Sequence, residues 1–202
     1  MLSAIDGGRA RSLVLASTSP YRRELLTRLG LPFSVSSPNT DETPLAGETP
    51  ADMALRLARD KAASVRHDHP DALIIGSDQV ADLEGEPIGK PGSADAARAL
   101  LRRLSGRTVV FHTGLALLDG ASGVCQASVV DVRSTFRALE PHEINTYIER
   151  EQAFDCAGGV KVEALGIVLL AAVESDDPTA LIGLPLIRLV DMLQNAGVRP
   201  LG

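Results

Sequence analysis

A short continuous apolar run, Leu13 to Ala16, is followed by Ser17-Thr18-Ser19-Pro20 and then by helical spacing through Leu25 and Leu26. This pattern predicts a strand, a turn and a helix. Ser19 suits the N-cap, where its hydroxyl accepts an orphan backbone N–H. Pro20 suits the first helical position, where no N–H is missed, and Gly30 is a natural stop. Phe33 and Val35 alternate with polar residues as a strand does, and Pro38 to Pro44 reads as a rigid loop. Thr49-Pro50 opens a second helix with Met53, Ala54, Leu57, Ala58, Ala62 and Val65 on one stripe. Leu73 to Val80 is a buried-strand run that turns polar at its end, and the glycines from Gly85 to Gly92 predict a loop. Ser93 is the predicted cap of a third helix, with Ala97, Leu100, Leu101 and Leu104 inward. Thr108–Leu118 and Val124–Phe136, joined through Asp119-Gly120 and Gly123, predict a long antiparallel hairpin. Pro141 starts a fourth helix, Ile167–Val173 is a further strand, and Gly183-Leu184-Pro185 opens the last helix. The class is therefore α/β with a mixed sheet and flanking helices. Met1 to Arg11 lacks periodicity and carries two adjacent glycines, so a flexible leader is expected before a domain covering 12–202.

Composition narrows the function classes. At 202 residues, 45% hydrophobic and 23% charged, the chain fits one large domain or two small lobes with a real core. Its net charge of −6 argues against a nucleic-acid polymer as partner. No apolar run reaches membrane-spanning length and no signal-peptide pattern is present, so no membrane partner is expected. Cys125 and Cys156 form neither a CxxC motif nor a disulfide framework, which points to a cytoplasmic protein. A homodimer is left open.

Candidate chemistry begins at the first helix. Arg22 and Arg23 stand in its first turn, where the macrodipole favours acidic residues by ~0.3–1 kcal/mol each. Either they are solvated, or an anion such as phosphate sits at the helix N-terminus between them. Asp41 and Glu42 are either solvated turn residues or, on a proline-bounded loop, magnesium ligands. Lys61 falls inside the apolar stripe of the second helix, so its stem either snorkels outward or its ammonium is aimed inward at an anion. Asp78 closes a strand at the end where ligands bind in α/β sheets; the alternative is an Asx turn. Gly89-Lys90 lets backbone and ammonium approach a ligand closely. Only three of the 20 basic residues are lysines, Lys61, Lys90 and Lys161, and a lysine kept against an arginine bias suggests a tight site. Neither GxxxxGK[ST] nor GxGxxG is present. The four histidines lack ligand spacing, and no GxSxG motif suggests acyl transfer.

The ordered set Leu15-Ala16-Ser17-Thr18-Ser19-Pro20-Tyr21-Arg22-Arg23-Glu24-Leu25-Leu26, Asp41-Glu42, Leu57-Ala58-Arg59-Asp60-Lys61-Ala62, Ile75-Gly76-Ser77-Asp78-Gln79-Val80 and Gly89-Lys90-Pro91 resembles the Maf nucleotide pyrophosphatases. The resemblance continues through Cys156-Ala157-Gly158 and Gly183-Leu184-Pro185 and covers roughly residues 12 to 202. It implies an inosine triphosphatase-like mixed sheet with two lobes around a cleft. It also implies hydrolysis of a nucleoside triphosphate to monophosphate and pyrophosphate with a divalent metal, Mg or Mn, and an association with septum formation. Members acting on dTTP and UTP resemble Ser-Pro-Arg-Arg and Asp-Thr where this chain has Ser19-Pro20-Tyr21-Arg22 and Asp78-Gln79. With Lys161 and Glu163, the chain is similar to the branch that hydrolyses 7-methyl-GTP, although that branch usually has tryptophan in place of Tyr21.

The roles implied are phosphate binding by Ser17, Ser19, Arg22, Arg23, Lys61 and Lys90, and metal binding by Glu42 and Asp78. Asp78, or water it orients, delivers the nucleophile. Tyr21, Gln79, Glu163 and Lys161 set specificity. Methylation at N7 makes guanine cationic, and an aromatic face over a cation contributes ~0.5–2 kcal/mol. A carboxylate hydrogen bond to the base edge adds ~1.5–3 kcal/mol. The alternatives are a Maf enzyme of dTTP or UTP specificity, a nucleotidyltransferase, and a non-catalytic nucleotide-binding regulator of septation.

Overall fold

The structure, a computed structural model, describes residues 4–6 and 9–202. Its strands are β1 (Ala4–Asp6), β2 (Arg9–Arg11), β3 (Leu13–Ala16), β4 (Ser34–Ser36), β5 (Leu73–Leu83), β6 (Glu86–Ile88), β7 (Thr108–Asp119), β8 (Cys125–Phe136) and β9 (Leu170–Glu174). Its helices are α1 (Pro20–Thr27), α2 (Pro50–Ser64), α3 (Ala94–Leu104), α4 (Pro141–Glu151) and α5 (Leu186–Asn195). The main sheet runs β4-β3-β5-β7-β8-β9, with β6 paired to β5. β3 is parallel to β4 and β5, and every other pairing in it is antiparallel, so the sheet is mixed as expected.

The long strands β5 and β7 pass through two apolar cores on one face of the sheet. At one end, Leu73, Ile75, Leu115 and Leu117 pack with Leu13 and Leu15 of β3, Leu25 and Leu26 of α1, and Leu189 and Leu193 of α5. At the other end, Ala81, Leu83, Val109 and Phe111 pack with Leu101 and Leu104 of α3 and Ile144, Tyr147 and Ile148 of α4. These are the two lobes. Between them lies the middle of β5, where the sequence turns from apolar to Ser77-Asp78-Gln79.

Helix α2 covers the opposite face, with Ala58 and Ala62 against Val14, Ile74 and Ala116. Its approach is unusually close. A Cβ on Gly76 would strike the Ala58 carbonyl, and one on Gly114 would strike the Ala54 carbonyl. Glycine at these strand positions is therefore required by the helix lying on them, and that contact brings Lys61 within reach of Asp78.

Two local expectations are corrected. The glycine-rich region after Leu83 was expected to be a loop, but Glu84 and Gly85 both have positive φ and make a two-residue turn. That turn returns β6 onto β5, with Leu83 opposite Glu86. The strand expected over Ile167–Val173 is partly a 3-10 turn, Leu165–Leu169, and β9 starts at Leu170. Ile167 and Val168 face solvent at 53% and 54% exposure, so that apolar run is not all core. The flexible leader expected over 1–11 falls in part on residues 1–3 and 7–8, outside those described. Of the remainder, β1 and β2 pair antiparallel, and the Arg11 guanidinium grips Asp119 at 3.0 and 2.5 Å.

Candidate active site

A cavity of about 740 Å³ opens between the lobes. Its walls come from the β3–α1 turn, the loop around Glu42, Lys61 of α2, Asp78 and Gln79 of β5, Lys90, the 155–163 segment and the 181–183 turn.

At the α1 end, Ser19 is the N-cap and its hydroxyl accepts the Arg22 N–H at 3.4 Å, with Pro20 beginning the helix as expected. Buried Ser17 accepts the Ser19 N–H at 3.1 Å and lies 3.5 Å from Arg22 Nη1. Arg22 turns inward and donates from Nε to the Gly183 carbonyl at 2.8 Å. Burial lowers its pKa, while Asp78 and Glu42 oppose the shift. No acidic residue occupies the first turn. One position further along the helix, about 100° around it, Arg23 is exposed and does not line the cavity. The phosphate role expected for Arg23 therefore has no geometric support.

Lys61 is the centre of the charged cluster. It is only 7% exposed, and its Nζ donates to Asp78 Oδ1 at 2.5 Å and to Glu42 Oε1 at 2.6 Å. The inward reading of this lysine is the one observed. Burial acts to raise the Glu42 pKa, but the Lys61 hydrogen bond and charge, with Lys90 and Arg22, outweigh it and bring the net value down. Glu42 is thus held as a carboxylate. Its loop is clamped from α2: Arg56 grips Glu48 at 2.6 and 2.8 Å and donates to the Thr43 carbonyl at 3.2 Å. Lys90 is exposed at the cavity wall.

Opposite these groups, the turn around Ala180–Ile182 gathers side chains from three elements. The Gly183 carbonyl receives Arg22 Nε and, at 2.9 Å, the Ser77 hydroxyl, which also lies 2.8 Å from the Gly114 carbonyl. Gln79 Nε2 donates toward the Ala180 and Leu181 carbonyls at 2.9 and 3.1 Å and toward Thr113 Oγ1 at 3.1 Å. The turn is itself held by Asp177, which is 2% exposed. Asp177 accepts the Thr179 hydroxyl at 2.7 Å and the Ile187 and Arg188 N–H groups of the first turn of α5 at 2.8 and 3.2 Å.

Tyr21 and Glu163 both line the cavity. Burial raises the Tyr21 pKa against the opposing effect of Lys161 beside its phenol. Lys161, which carries the specificity expectation with Tyr21, lies beside the Tyr21 phenol and 3.9 Å from Glu151, and does not itself line the cavity. Cys156 also lines the cavity, but burial, with Asp155, pushes its thiol up to about 12, which makes it a poor nucleophile. Among the described residues, no group of three or more His, Cys, Asp or Glu converges as a metal cluster, and no helix is long and apolar enough to cross a membrane.

Ser77, Thr113, Asp177 and Thr179 were not expected to take part. The trace of Thr113 in the sequence is the His112-Thr113-Gly114 interruption between the apolar stretches Val109–Phe111 and Leu115–Leu118. Nothing local marks Asp177, whose partners lie on both sides of the turn it holds.

The mixed α/β sheet thus carries, between its two lobes, one cavity lined by Arg22, Lys61 and Lys90 with Glu42 and Asp78, and by Tyr21 and Glu163. The Maf-like protein family matches residues 12–196, and the chain belongs to that family. It is 57% identical over 189 residues to a 7-methyl-GTP pyrophosphatase of Polaromonas sp., covering 94% of this chain and 86% of that one. It is 56% identical over 186 residues to a 7-methyl-GTP pyrophosphatase of Cupriavidus metallidurans, covering 92% and 94% of the two chains. A protein of the same name from Bordetella pertussis is 52% identical over 189 residues, covering 94% of each.

Proposed function

We propose that this protein hydrolyses a nucleoside triphosphate, 7-methyl-GTP, to the nucleoside monophosphate and pyrophosphate. The observation that carries the reading is one cavity holding both halves of such a ligand's complement. Arg22, Lys61 and Lys90 stand with Glu42 and Asp78 at the charged end, and Tyr21 with Glu163 line the same space. Its volume lies within the ~300–1,000 Å³ usual for small-molecule sites. The names of the curated relatives agree with it.

The charged end supplies what phosphoryl chemistry needs, which is positioning and charge stabilisation. Arg22, with the N–H groups at the start of α1, grips one end of the triphosphate. Lys90 approaches the polyanion from the other wall, and Lys61 stabilises charge developing around the α-phosphorus. Asp78 spends Oδ1 on Lys61, leaving Oδ2 to accept the proton of an attacking water.

Glu42 and Asp78 fit a divalent cation. The Lys61 ammonium holds the two carboxylates side by side, and a carboxylate pair completed by substrate phosphates and water suits Mg²⁺ or Mn²⁺. When bound, the ion neutralises phosphate charge and polarises the reacting phosphoryl group.

At the base end, Tyr21 offers a π-face to the cationic ring and Glu163 offers an acceptor to guanine N–H donors. The test is pyrophosphate release from a nucleotide panel. 7-Methyl-GTP should exceed GTP, UTP and dTTP in kcat/KM by tenfold or more, on the order of one cation–π contact plus part of one charged hydrogen bond. Equal efficiency on all four would leave only a general nucleotide pyrophosphatase.

A further inference from the structure

We infer that Thr113, a buried residue outside the cavity, is a specificity-positioning residue that fixes which end of the Gln79 amide faces the base. The inference rests on the reading of Gln79 as part of the base-recognition set.

Thr113 is fully buried on β7, directly opposite Gln79 in the β5–β7 ladder, so both side chains stand on the same face of the sheet. Its hydroxyl has one proton, and that proton goes to the Ala180 carbonyl at 2.9 Å. The oxygen therefore presents only lone pairs to Gln79, 3.1 Å away. Two backbone carbonyls, of Ala180 and Leu181, present lone pairs to the same atom. An amide surrounded by three acceptors is restricted to one orientation, with its nitrogen toward them. Flipping it would set Oε1 against two carbonyls and a hydroxyl with no proton to spare. Gln79 lines the cavity, and with its nitrogen engaged, Oε1 is the atom left to face a ligand.

The chemical consequence is an acceptor-only surface. Gln79 Oε1 and the Glu163 carboxylate both accept, and guanine presents two adjacent donors, N1–H and N2–H₂, on one edge. Uracil and thymine present one N–H flanked by two carbonyl oxygens, which such a surface repels. A free amide would rotate and offer N–H₂ to those carbonyls. Discrimination thus depends on the Ala180 and Leu181 carbonyls and Thr113 together denying Gln79 that rotation, Thr113 being the one side chain among the three, because a site whose polar groups match one partner leaves the mismatched partner's groups unpaired. Thr113 touches neither base nor phosphate in this arrangement and acts through Gln79.

The experiment measures kcat/KM on 7-methyl-GTP and on UTP for wild type, Thr113→Val, Thr113→Ser, Gln79→Leu and the Thr113→Val/Gln79→Leu double variant. Valine keeps the shape and removes the hydroxyl. Thr113→Val should narrow the 7-methyl-GTP to UTP ratio by about 3- to 10-fold, the worth of one neutral hydrogen bond. Thr113→Ser should restore the ratio, and Thr113→Val should change it no further in the Gln79→Leu background. A Thr113→Val loss equal on both substrates overturns the inference and makes Thr113 structural. So does narrowing that persists undiminished in the Gln79→Leu background, because Thr113 then acts by another route. A wild-type or near-wild-type ratio in Gln79→Leu itself overturns the underlying reading of Gln79, and this inference with it. If Thr113→Val does not fold, Thr113→Ala replaces it under the same criteria.

Discussion

Lys61 Nζ lies 2.5 Å from Asp78 Oδ1 across the contact between α2 and β5, and 2.6 Å from Glu42 Oε1 on the far side. The ammonium thus serves as counter-ion to two carboxylates that would otherwise face one another. Its place follows from the packing: α2 lies on Gly76 and Gly114, and Asp78, opposite Gly114 in the ladder, shares that face. The same pair is reached from the apolar stripe of a helix and from the polar end of a strand, which is why each residue stood out on its own.

Asp78→Asn should lower kcat by about 10²- to 10⁴-fold, the usual worth of a positioned general base, with the melting curve still cooperative. Steady-state kinetics and thermal denaturation check this. A folded variant with wild-type turnover would remove Asp78 from the chemistry.

The two cavity lysines should separate. Lys90 is exposed, so Lys90→Ala should reduce kcat/KM by about 10- to 150-fold, one charged hydrogen bond, at unchanged melting temperature. Lys61→Ala should lower both, because removing one partner of a buried ion pair costs about 3–5 kcal/mol, less here for the half-exposed Glu42. Kinetics and melting of both variants in parallel distinguish the two roles.

Tyr21→Arg and Glu163→Gln should lower efficiency on 7-methyl-GTP much more than on UTP or dTTP. The first replaces an aromatic face with a like charge, and the second removes charge complementarity while keeping shape. Equal losses on all substrates would place neither residue at the base.

How much of this was legible in the sequence differed by residue. Ser19-Pro20, Thr49-Pro50 and Ser93 announce helix starts through local hydrogen bonding, and all three helices begin there. Lys61 was legible because a charge inside an apolar stripe is anomalous wherever the helix packs. Arg22 and Arg23 have the same chemistry in the sequence, and only the turn of the helix tells which one lines the cavity, Arg22 here. Thr113 and Asp177 were hidden because their meaning lies in partners 67 residues along the chain or on both sides of a turn. β6 escaped because Glu84, an unusual residue for positive φ, supplies half of its turn.

Stability should fall in acid through the Glu42 loop. The Arg56 hydrogen bonds hold the Glu48 carboxyl at about 2, below its ordinary 4.5. A folded-state pKa below the unfolded value gives a contribution fully present above about pH 4.5 and lost as pH falls toward 2. Glu42, also lowered, acts in the same direction. Between pH 5 and pH 3 the melting temperature of wild type should drop more steeply than that of Glu48→Gln. Parallel curves would show that the clamp carries no linkage.

The most direct test of the central claim is one turnover of 7-methyl-GTP in ¹⁸O-labelled water, with products resolved by mass and by ³¹P resonance. Attack of water at the α-phosphorus predicts 7-methyl-GMP carrying the label and pyrophosphate without it. Label in orthophosphate with release of the diphosphate would contradict the assigned reaction. Absence of products without a second acceptor would contradict hydrolysis itself.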